Sequence, residues 1–471
     1  MSRLPRFEIY VTGYVTGNVY WNTVRPMMKA LWLLAGLAGL ALSAPAHAGG
    51  NDTVPADAVA ADVAEWRDWL FATHPLPGFS MDVEAVNAGF NAVIDGLEGD
   101  YTRREAWLAL SPLNPLFNDG HVAIRLPQEA YETDLAHGCS AFTLPVRLAD
   151  GRLTVAGTIA ADSAIALGET ILAINGSDTR TLVAQALRRT HGDTPGLRAH
   201  LVETRFPQYL WALTGSAPSW TVTLEAPGGQ RREVTLDPAV DRATTASSNW
   251  NLAFRDAAAI LTLNTFAPAV ETEFRAFIDQ AFADIAARGS EILIVDISAN
   301  GGGAHMLSDH LLAYLTTQRH TPLSAVTARI TEQNQALIPG SQIGDVMSMP
   351  FARWVEPPAE LANRFTGRTA FLVGAGTYSQ AIVLAATVQD FGIAPVAGPG
   401  TQGRANSTGQ VQLHRLTHTG LEVAAPIYVF IRPSGDTSSA PVIPDIPLEG
   451  PRETQIDALI AHLREAATEA D

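Results

Sequence analysis

The chain has 471 residues, of which 47% are hydrophobic and 17% charged, enough for two or three domains with apolar cores. Its formal net charge of −17 disfavours nucleic acid or an anionic membrane as a partner, because both require clustered Lys and Arg. The single cysteine, Cys139, excludes an internal disulfide framework and a zinc site built from cysteines. We predict a globular protein with neither a cofactor nor a metal.

The N-terminal segment has the pattern of an export signal. A basic stretch ending at Lys29 is followed by an apolar run over residues 30–42 and by small residues up to Ala48. We therefore predict a signal peptide over residues 1–48, cleaved near Ala48, and a periplasmic or secreted protein. A retained membrane anchor is the alternative, and it is disfavoured because the apolar run is short for a membrane span.

Lysine usage limits the possible chemistry. Lys29 is the only lysine of the chain, so cleavage at Ala48 leaves none. A lysine base, a Schiff base and a P-loop lysine are then all excluded. Residues 1–26 do not resemble the start of a signal peptide, and Met27 and Met28 are alternative start sites.

Three regions follow in chain order. Residues 49–135 carry apolar side chains at helical spacing, broken by Pro and Gly, which predicts a small helical bundle. Residues 140–238 read as short strands and turns, with a hairpin across Gly228 and Gly229. Strands and helices alternate over residues 249–465, which predicts an α/β core with a mixed, largely parallel sheet.

One serine stands where a strand-like stretch passes into a helix-like stretch. The sequence FLVGAGTYSQAIVLAATVQD, residues 371–390, places Ser379 at this junction. A hydroxyl at the first turn of a helix can cap free backbone amides. It can also be a nucleophile, beside amides that bind a developing oxyanion.

A glycine turn follows another buried strand, in the sequence DISANGGGAH. Glycines 301–303 leave backbone amides open to an anion, although a tight turn alone would also explain them. The segment lacks the lysine of a P-loop and the glycine spacing of a dinucleotide site.

These stretches resemble the tail-specific (C-terminal-processing) and tricorn-core serine protease family. The resemblance covers nearly the whole chain after residue 48, with motifs in the family's order. They are PLFNDGHVAIRLP at the end of the helical region, ALGETILAING in a PDZ-like domain, EILIVDISANGGG at the glycine turn, residues 371–390 at the nucleophile and APVIPDIPL near the end. The resemblance implies an N-terminal helical bundle (49–135), a PDZ-like β-rich domain (140–238) and an α/β protease core (249–465).

Two departures from the family pattern identify a branch. Where one branch has a lysine base about 25 residues after the serine, this chain has Arg404, which stays protonated and cannot accept a proton. The usual strand arginine is replaced by Ser298. Both the lysine count and the resemblance favour the Ser-His branch, in which His121 is the base.

The resemblance then assigns the site residues. Ser379 is the nucleophile and His121 the general base, with an activity limb expected near pH 6 to 7. The amides of Gly302 and Gln380 bind the oxyanion. His305, two residues after the glycines, is the rival base.

The third catalytic residue is unassigned at this stage. Asp119 fits a turn residue in the sequence NDG. The position of the family's acidic orienter holds Ser438, with Asp436 nearby.

The resulting hypothesis is an exported serine endopeptidase that cleaves polypeptides or protein C-terminal tails. Its PDZ-like region is expected to capture an extended chain at a sheet edge. Arg147 and Arg152 are candidates to bind a terminal carboxylate, although surface solvation is the favoured interpretation. The alternatives are a noncatalytic binding protein of the same fold, as in the interphotoreceptor retinoid-binding proteins, and a hydrolase of small esters. The nucleophile lacks the Gly-x-Ser-x-Gly elbow of α/β-hydrolases.

Overall fold

The computed structural model describes residues 53–157, 163–243, 248–332 and 334–468. The predicted signal peptide and its cleavage site lie outside these residues. Within the described ranges, no helix combines the length and the apolar character needed to cross a bilayer.

The N-terminal region is built mainly from helices, as predicted. Its helices are α1 (Ala56–Thr73), α2 (Val83–Asp95), α3 (Arg103–Leu110) and α4 (Gln128–Ala136). Its strands are β1 (Val54–Pro55), β2 (Asp100–Tyr101) and β3 (Ala123–Ile124). Side-chain caps explain two helix starts, because Asp82 accepts from the first amides of α2 and Thr102 forms a capping box with Glu105 in α3.

An aromatic cluster holds this region together and positions the loop that follows it. The buried rings of Trp66, Phe90 and Phe117 meet with centroids 5.2–6.3 Å apart. Phe117 ends a 3-10 helix, and the next residue, Asn118, turns the chain with a left-handed φ of 46°. The loop bearing His121 therefore starts from a rigid point.

The PDZ-like region contains a sheet of strand order β4-β5-β6-β8-β9, with β7 paired to β6. The predicted hairpin across Gly228 and Gly229 joins β8 and β9, which pair antiparallel. The strands are β4 (Val146–Ala149), β5 (Arg152–Val155), β6 (Thr170–Ile174), β7 (Ser177–Asp178), β8 (Thr221–Glu225) and β9 (Arg231–Thr235).

The prediction of strands and turns throughout residues 140–238 was wrong in one part. Three helices separate β7 from β8, namely α5 (Thr179–Leu187), α6 (Pro195–Thr204) and α7 (Phe206–Thr214). Caps and prolines start them, with Asp178 capping α5, Thr194 capping α6, and a proline in the first two positions of both α6 and α7.

Within the described residues, the core contains two sheets and four α-helices. Its helices are α8 (Glu271–Arg288), α9 (His305–Ala313), α10 (Gln380–Asp390) and α11 (Arg452–Thr468). Its strands are β10 (Trp250–Arg255), β11 (Ala258–Leu263), β12 (Ile292–Asp296), β13 (Ala325–Arg329), β14 (Val346–Pro350), β15 (Arg368–Leu372), β16 (Val396–Gly398), β17 (Thr408–Arg415), β18 (Glu422–Ile431) and β19 (Ile446–Pro447).

The larger core sheet has the predicted mixed, largely parallel arrangement. Its order is β10-β11-β12-β15-β16-β19, and only the β10–β11 pair is antiparallel. Alternate residues of each central strand pack on opposite faces, so Leu293 and Val295 lie with α8, α9 and α10 while Ile292 and Ile294 lie with α11. Burial on both faces explains the continuous apolar run of β12.

The second core sheet is antiparallel and was not predicted. Its order is β14-β13-β18-β17, and β3 of the helical region also pairs with β18, with Ala123 opposite Ala424. This pairing attaches the segment directly after His121 to the protease core. The helical region is therefore part of the same folded unit as the core.

A buried carboxylate also fastens the helical region to the core. Asp62 of α1 is fully buried and accepts hydrogen bonds from the amides of His418 and Thr419 and from the Thr419 hydroxyl, at 2.7–2.9 Å.

We expect Asp62→Ala to lower the free energy of unfolding by about 3 kcal/mol or more, because three donors lose their acceptor. Asp68→Ala, at an exposed position of the same helix, should change it by less than about 0.5 kcal/mol. Urea unfolding of both variants measures this, and equal stabilities would contradict it.

Candidate active site

Ser379 occupies a strained turn between β15 and α10. Its backbone has φ 52° and ψ −123°, a conformation that glycine usually adopts, and the amide of Ala381 closes the turn onto the Tyr378 carbonyl at 3.0 Å. Such a conformation costs about 1–3 kcal/mol in a non-glycine residue. The Ser379 side chain makes no hydrogen bond to the start of α10, so it does not cap the helix.

The end of strand β12 holds this turn in place. Tyr378 donates its amide to the carbonyl of Asn300 at 2.9 Å, and the Thr377 hydroxyl donates to the carbonyl of Ile297 at 2.8 Å. Strands β12 and β15 are parallel neighbours, with Asp296 opposite Leu372, so both turns leave the same edge of the sheet. The topology thus places the serine turn against the glycine turn.

The glycine turn is packed too closely for side chains. A Cβ atom on Gly302 would lie 2.7 Å from both the Gln380 amide nitrogen and the Ser379 Cβ atom. A Cβ atom on Gly303 would lie 2.0 Å from the carbonyl oxygen of Phe266. Both glycines also have positive φ angles, 98° and 141°, so the contact with Ser379 requires glycine here.

The predicted oxyanion donors differ in availability. The Gln380 amide, first in α10, has no hydrogen-bond acceptor among the described residues. The Gly302 amide instead donates to Asn300 Oδ1 at 2.8 Å. The Gly303 amide, which the sequence analysis did not name, has no acceptor in the described part of the chain, and this residue lines the cavity beside Ser379.

His121 packs against the residue that precedes the serine. The centroids of its ring and the Tyr378 ring are 4.9 Å apart, and the amide of neighbouring Gly120 donates to the Tyr378 hydroxyl at 3.0 Å. His121 Nδ1 lies 2.9 Å from the Thr408 hydroxyl, whereas Nε2 has no hydrogen-bond partner within the described ranges. Burial lowers the pKa of His121, although nearby Asp119 and Asp193 oppose this shift. The imidazole is therefore neutral at neutral pH.

Asp119 is a buried site residue, and the interpretation as a simple turn residue was incomplete. Its Oδ1 accepts from the His121 amide at 2.7 Å and from the Thr408 hydroxyl at 2.9 Å. Burial alone would raise its pKa, but interactions with His74 and His121 lower the pKa of Asp119 to about 2. The carboxylate is thus ionised. The sequence offered only one signal, an acidic side chain two residues before the candidate base.

Asp193, which the sequence analysis missed, joins the PDZ-like region to both active-site loops. Its Oδ1 accepts from the Gly120 amide at 2.8 Å and from the Tyr378 hydroxyl at 2.7 Å. Its Oδ2 accepts from the Arg404 amide at 2.9 Å. Nothing near residue 193 in the sequence marked it, because all three partners are distant in the chain.

The other predicted residues are divided between the surface, the loop before His121 and the cavity beside Ser379. Ser438 and Asp436 are exposed, and the Ser438 hydroxyl donates to Asp436 at 2.9 Å. The guanidinium of Arg404 donates to the carbonyl of Asn118 at 2.6 Å, which supports the loop before His121. His305 begins α9 and lines the cavity beside Ser379, where burial lowers its pKa.

A partly apolar cavity opens beside Ser379. Its walls include Leu323, Phe351, Val383 and Phe430. Among the described residues, no group of three or more His, Cys, Asp or Glu side chains could hold a metal ion. The site therefore offers a serine hydroxyl, a neutral imidazole, backbone amides and a pocket for an apolar group.

These are the groups that a serine hydrolase uses, and they lie on an α/β core. Residues 257–448, which include the glycine turn and Ser379, match the family model described as Peptidase family S41. This part of the chain is therefore similar to peptidase family S41, and the match supports a serine peptidase core. The resemblance seen in the sequence is confirmed at this level, while the choice of the Ser-His branch stays a prediction.

Solved structures show the same fold over most of the chain. The structure of mature CPAF complexed with lactacystin has a TM-score of 0.60 and 15% identity, covering 87% of this chain and 97% of that chain. The crystal structure of mature CPAF has a TM-score of 0.58 and 15% identity, with coverages of 83% and 93%. No curated protein sequence matches the chain significantly.

The glycine turn yields a prediction with a matched control. Gly302→Ala should abolish labelling of Ser379 by a fluorophosphonate, because the new Cβ would displace the serine turn. Gly301→Ala should keep most labelling, since a Cβ there meets nothing within 4 Å. Mass spectrometry of the labelled peptide measures both variants, and equal labelling would contradict the close packing of the two turns.

Proposed function

We propose that this protein is an exported serine endopeptidase that cleaves polypeptides or protein C-terminal tails through an acyl-enzyme. Ser379 is the nucleophile, His121 the general base, and backbone amides around Gln380 bind the oxyanion. The observation that carries this proposal is the strained Ser379 turn, whose hydroxyl makes no capping bond and which follows Tyr378, the residue whose ring packs against His121. Strain of this kind is retained where the surrounding structure enforces it, often at functional sites.

The proposed reaction uses these groups in sequence. Ser379 Oγ bonds to the carbonyl carbon of the substrate while its proton passes to His121 Nε2, and the carbonyl oxygen becomes an oxyanion. Protonated His121 returns the proton to the leaving amine as the C–N bond breaks. Water then attacks the acyl ester in the same way and restores the Ser379 hydroxyl.

The proposed oxyanion site uses two free amides, one from the residue after the serine and one from the glycine turn. Gln380 supplies one. Because the Gly302 amide is held by Asn300, its predicted role requires that side chain to move, whereas the Gly303 amide needs no such change. We therefore add Gly303 to Gly302 as a candidate donor.

Export is proposed from the sequence of residues 1–48, which fits a cleaved signal peptide. A polypeptide substrate is consistent with the peptidase S41 domain. An extended chain could use the open cavity beside Ser379 for an apolar side chain next to the cleaved bond.

Capture by the PDZ-like region meets an obstacle at one edge of its sheet. The outer side of β4 is covered by α6, because the Leu148 amide donates to Glu203 Oε2 at 2.7 Å. Arg147, a candidate carboxylate ligand, lies 3.9 Å from the same carboxylate. A polypeptide added to β4 would therefore have to displace Glu203 first.

The noncatalytic alternative has lost part of its support. It rested on Ser298 and on the missing acidic orienter, yet a carboxylate, Asp119, lies beside His121 in a different position. A small-ester hydrolase would use the same groups, and it differs only in the substrates that are turned over.

The nucleophile can be tested by one substitution. Ser379→Ala should abolish fluorophosphonate labelling and casein degradation. Stability should change by no more than about 1–2 kcal/mol, because alanine keeps the Cβ atom and the lost hydroxyl makes no capping bond. Ser438→Ala, at an exposed serine, should leave both activities intact. Unchanged casein turnover by Ser379→Ala would exclude it as the nucleophile. Turnover of a short ester without any turnover of casein would instead favour the small-ester hydrolase.

The base can be identified from the pH dependence of kcat/KM. Activity requires neutral His121, so it should rise with pH through one ionisation. Since burial lowers the pKa of His121, this limb should lie below the ordinary value of 6.5. His121→Ala should remove the limb and nearly all turnover, whereas His305→Ala should keep the limb. The reverse result would make His305 the base.

A further inference from the structure

Three buried groups from two distant segments form a continuous hydrogen-bonded chain behind the candidate base. His121 Nδ1 lies 2.9 Å from Thr408 Oγ1, and Thr408 Oγ1 lies 2.9 Å from Asp119 Oδ1. Asp119 is 1% exposed and Thr408 3% exposed, so solvent hardly reaches either group. Thr408 is the first residue of β17, and it also lines the cavity beside Ser379.

The number of protons fixes the direction of each bond. A threonine hydroxyl has one proton to donate, and an ionised carboxylate can only accept. Thr408 therefore donates its proton to Asp119, and its lone pair accepts a proton from His121 Nδ1. Neutral His121 must then carry its proton on Nδ1 and leave Nε2 as the acceptor.

We propose that Asp119 and Thr408 are the positioning residues of His121, with Asp119 acting through the Thr408 hydroxyl as the acidic orienter. This inference rests on the proposed role of His121 as base. Asp119 would thus take the role of the acidic orienter, for which the sequence has Ser438 at the expected position. Asp119 and Thr408 touch no reacting atom, and they act by fixing the imidazole ring and its tautomer.

The arrangement also favours the protonated state that His121 reaches during the reaction. Thr408 can accept a proton from Nδ1 in both states, so no hydrogen bond has to rearrange when Nε2 takes the serine proton. Asp119 Oδ1 lies 3.9 Å from Nδ1, close enough for its charge to stabilise the imidazolium.

Other charges around His121 act in both directions. Asp193 favours the imidazolium, whereas burial lowers the pKa of His191 to about 3, so His191 is neutral near neutral pH. His74 Nε2 lies 3.9 Å from Asp119 Oδ2. Tyr378 packs against the His121 ring, Arg404 and Arg198 lie near Asp193, and Arg205 and Arg125 act on His191. Of the two carboxylates, only Asp119 is bonded to the Thr408 hydroxyl.

The test compares three variants of the full chain: Asp119→Asn, Thr408→Val and Thr408→Ser. Thr408→Val keeps the shape but removes the hydroxyl, and we expect kcat to fall roughly 10²-fold with a much smaller change in KM. Thr408→Ser restores the hydroxyl and should recover activity to within about 10-fold of the parent. Asp119→Asn should lower kcat and also move the acid limb to lower pH, because the imidazolium loses its nearest negative charge.

A second measurement reads the tautomer without relying on activity. Nitrogen NMR of the imidazole in the Ser379→Ala background should show the neutral proton of His121 on Nδ1. Thr408→Val in that background should shift the proton toward Nε2, while Thr408→Ser should not. Thermal unfolding of each variant confirms that it is folded. If Asp119→Asn does not fold, the comparison of Thr408→Val with Thr408→Ser tests the inference by itself.

The outcomes separate this inference from the proposed function. If Thr408→Val keeps kcat, or if the His121 proton stays on Nδ1 without the hydroxyl, then Thr408 and Asp119 do not position the ring. If Ser379 is never labelled but the tautomer depends on Thr408 as described, the proposed peptidase mechanism fails and the positioning network stands. If the Thr408 and Asp119 variants lose stability but keep the acid limb of kcat/KM and the values of kcat and KM, these residues have a structural role only.

Discussion

The shared hydrogen bonds of the Asp193 carboxylate are the interaction on which the rest of the site depends. One oxygen accepts from both the Gly120 amide and the Tyr378 hydroxyl, and the other accepts from the Arg404 amide. A buried carboxylate is tolerated only when such donors compensate for lost hydration. The three regions of the chain therefore have to come together for any of these groups to be satisfied. An active site exists only in the complete fold, and removal of the PDZ-like region would also remove this support for His121 and Tyr378.

Close packing of the glycine turn and backbone strain at Ser379 shape the rest of the site. The parallel pair β12 and β15 delivers the glycine turn and Ser379 to one edge, and the absence of side chains at Gly302 and Gly303 lets the two turns touch. Hydrogen bonds to the carbonyls at the end of β12 enforce the unfavourable backbone angles of Ser379. The cost of this strain is offset by an apolar core in which α10 is buried along nearly its whole length. The hydroxyl is thereby held away from the helix amides that it would otherwise cap.

The sequence predicted those parts of the molecule whose signals are local. The apolar strand before the glycines, the junction at Ser379 and the largely parallel core sheet each follow from patterns within about 20 residues, and the structure contains them. In the antiparallel sheet that was missed, β13–β14 and β17–β18 are neighbours in the chain. The pairing that joins them, β13 with β18, places Ala325 opposite Ile431 and connects distant segments. The contacts of Asp119 and Asp193 were missed because they too join distant segments. Their roles depend on Thr408 and Tyr378, which are 289 and 185 positions away, and no local pattern encodes such a contact.

The central claim is that Ser379, a backbone oxyanion site and His121 form one catalytic unit. A crystal structure of the fluorophosphonate adduct of the unmodified protein tests this most directly. The account predicts a bond between phosphorus and Ser379 Oγ, with the phosphoryl oxygen within about 3 Å of the Gln380 amide and of an amide of the glycine turn. It also predicts His121 Nε2 facing the modified oxygen. Phosphorus on another residue, or a phosphoryl oxygen directed to solvent away from both amides, would contradict the account.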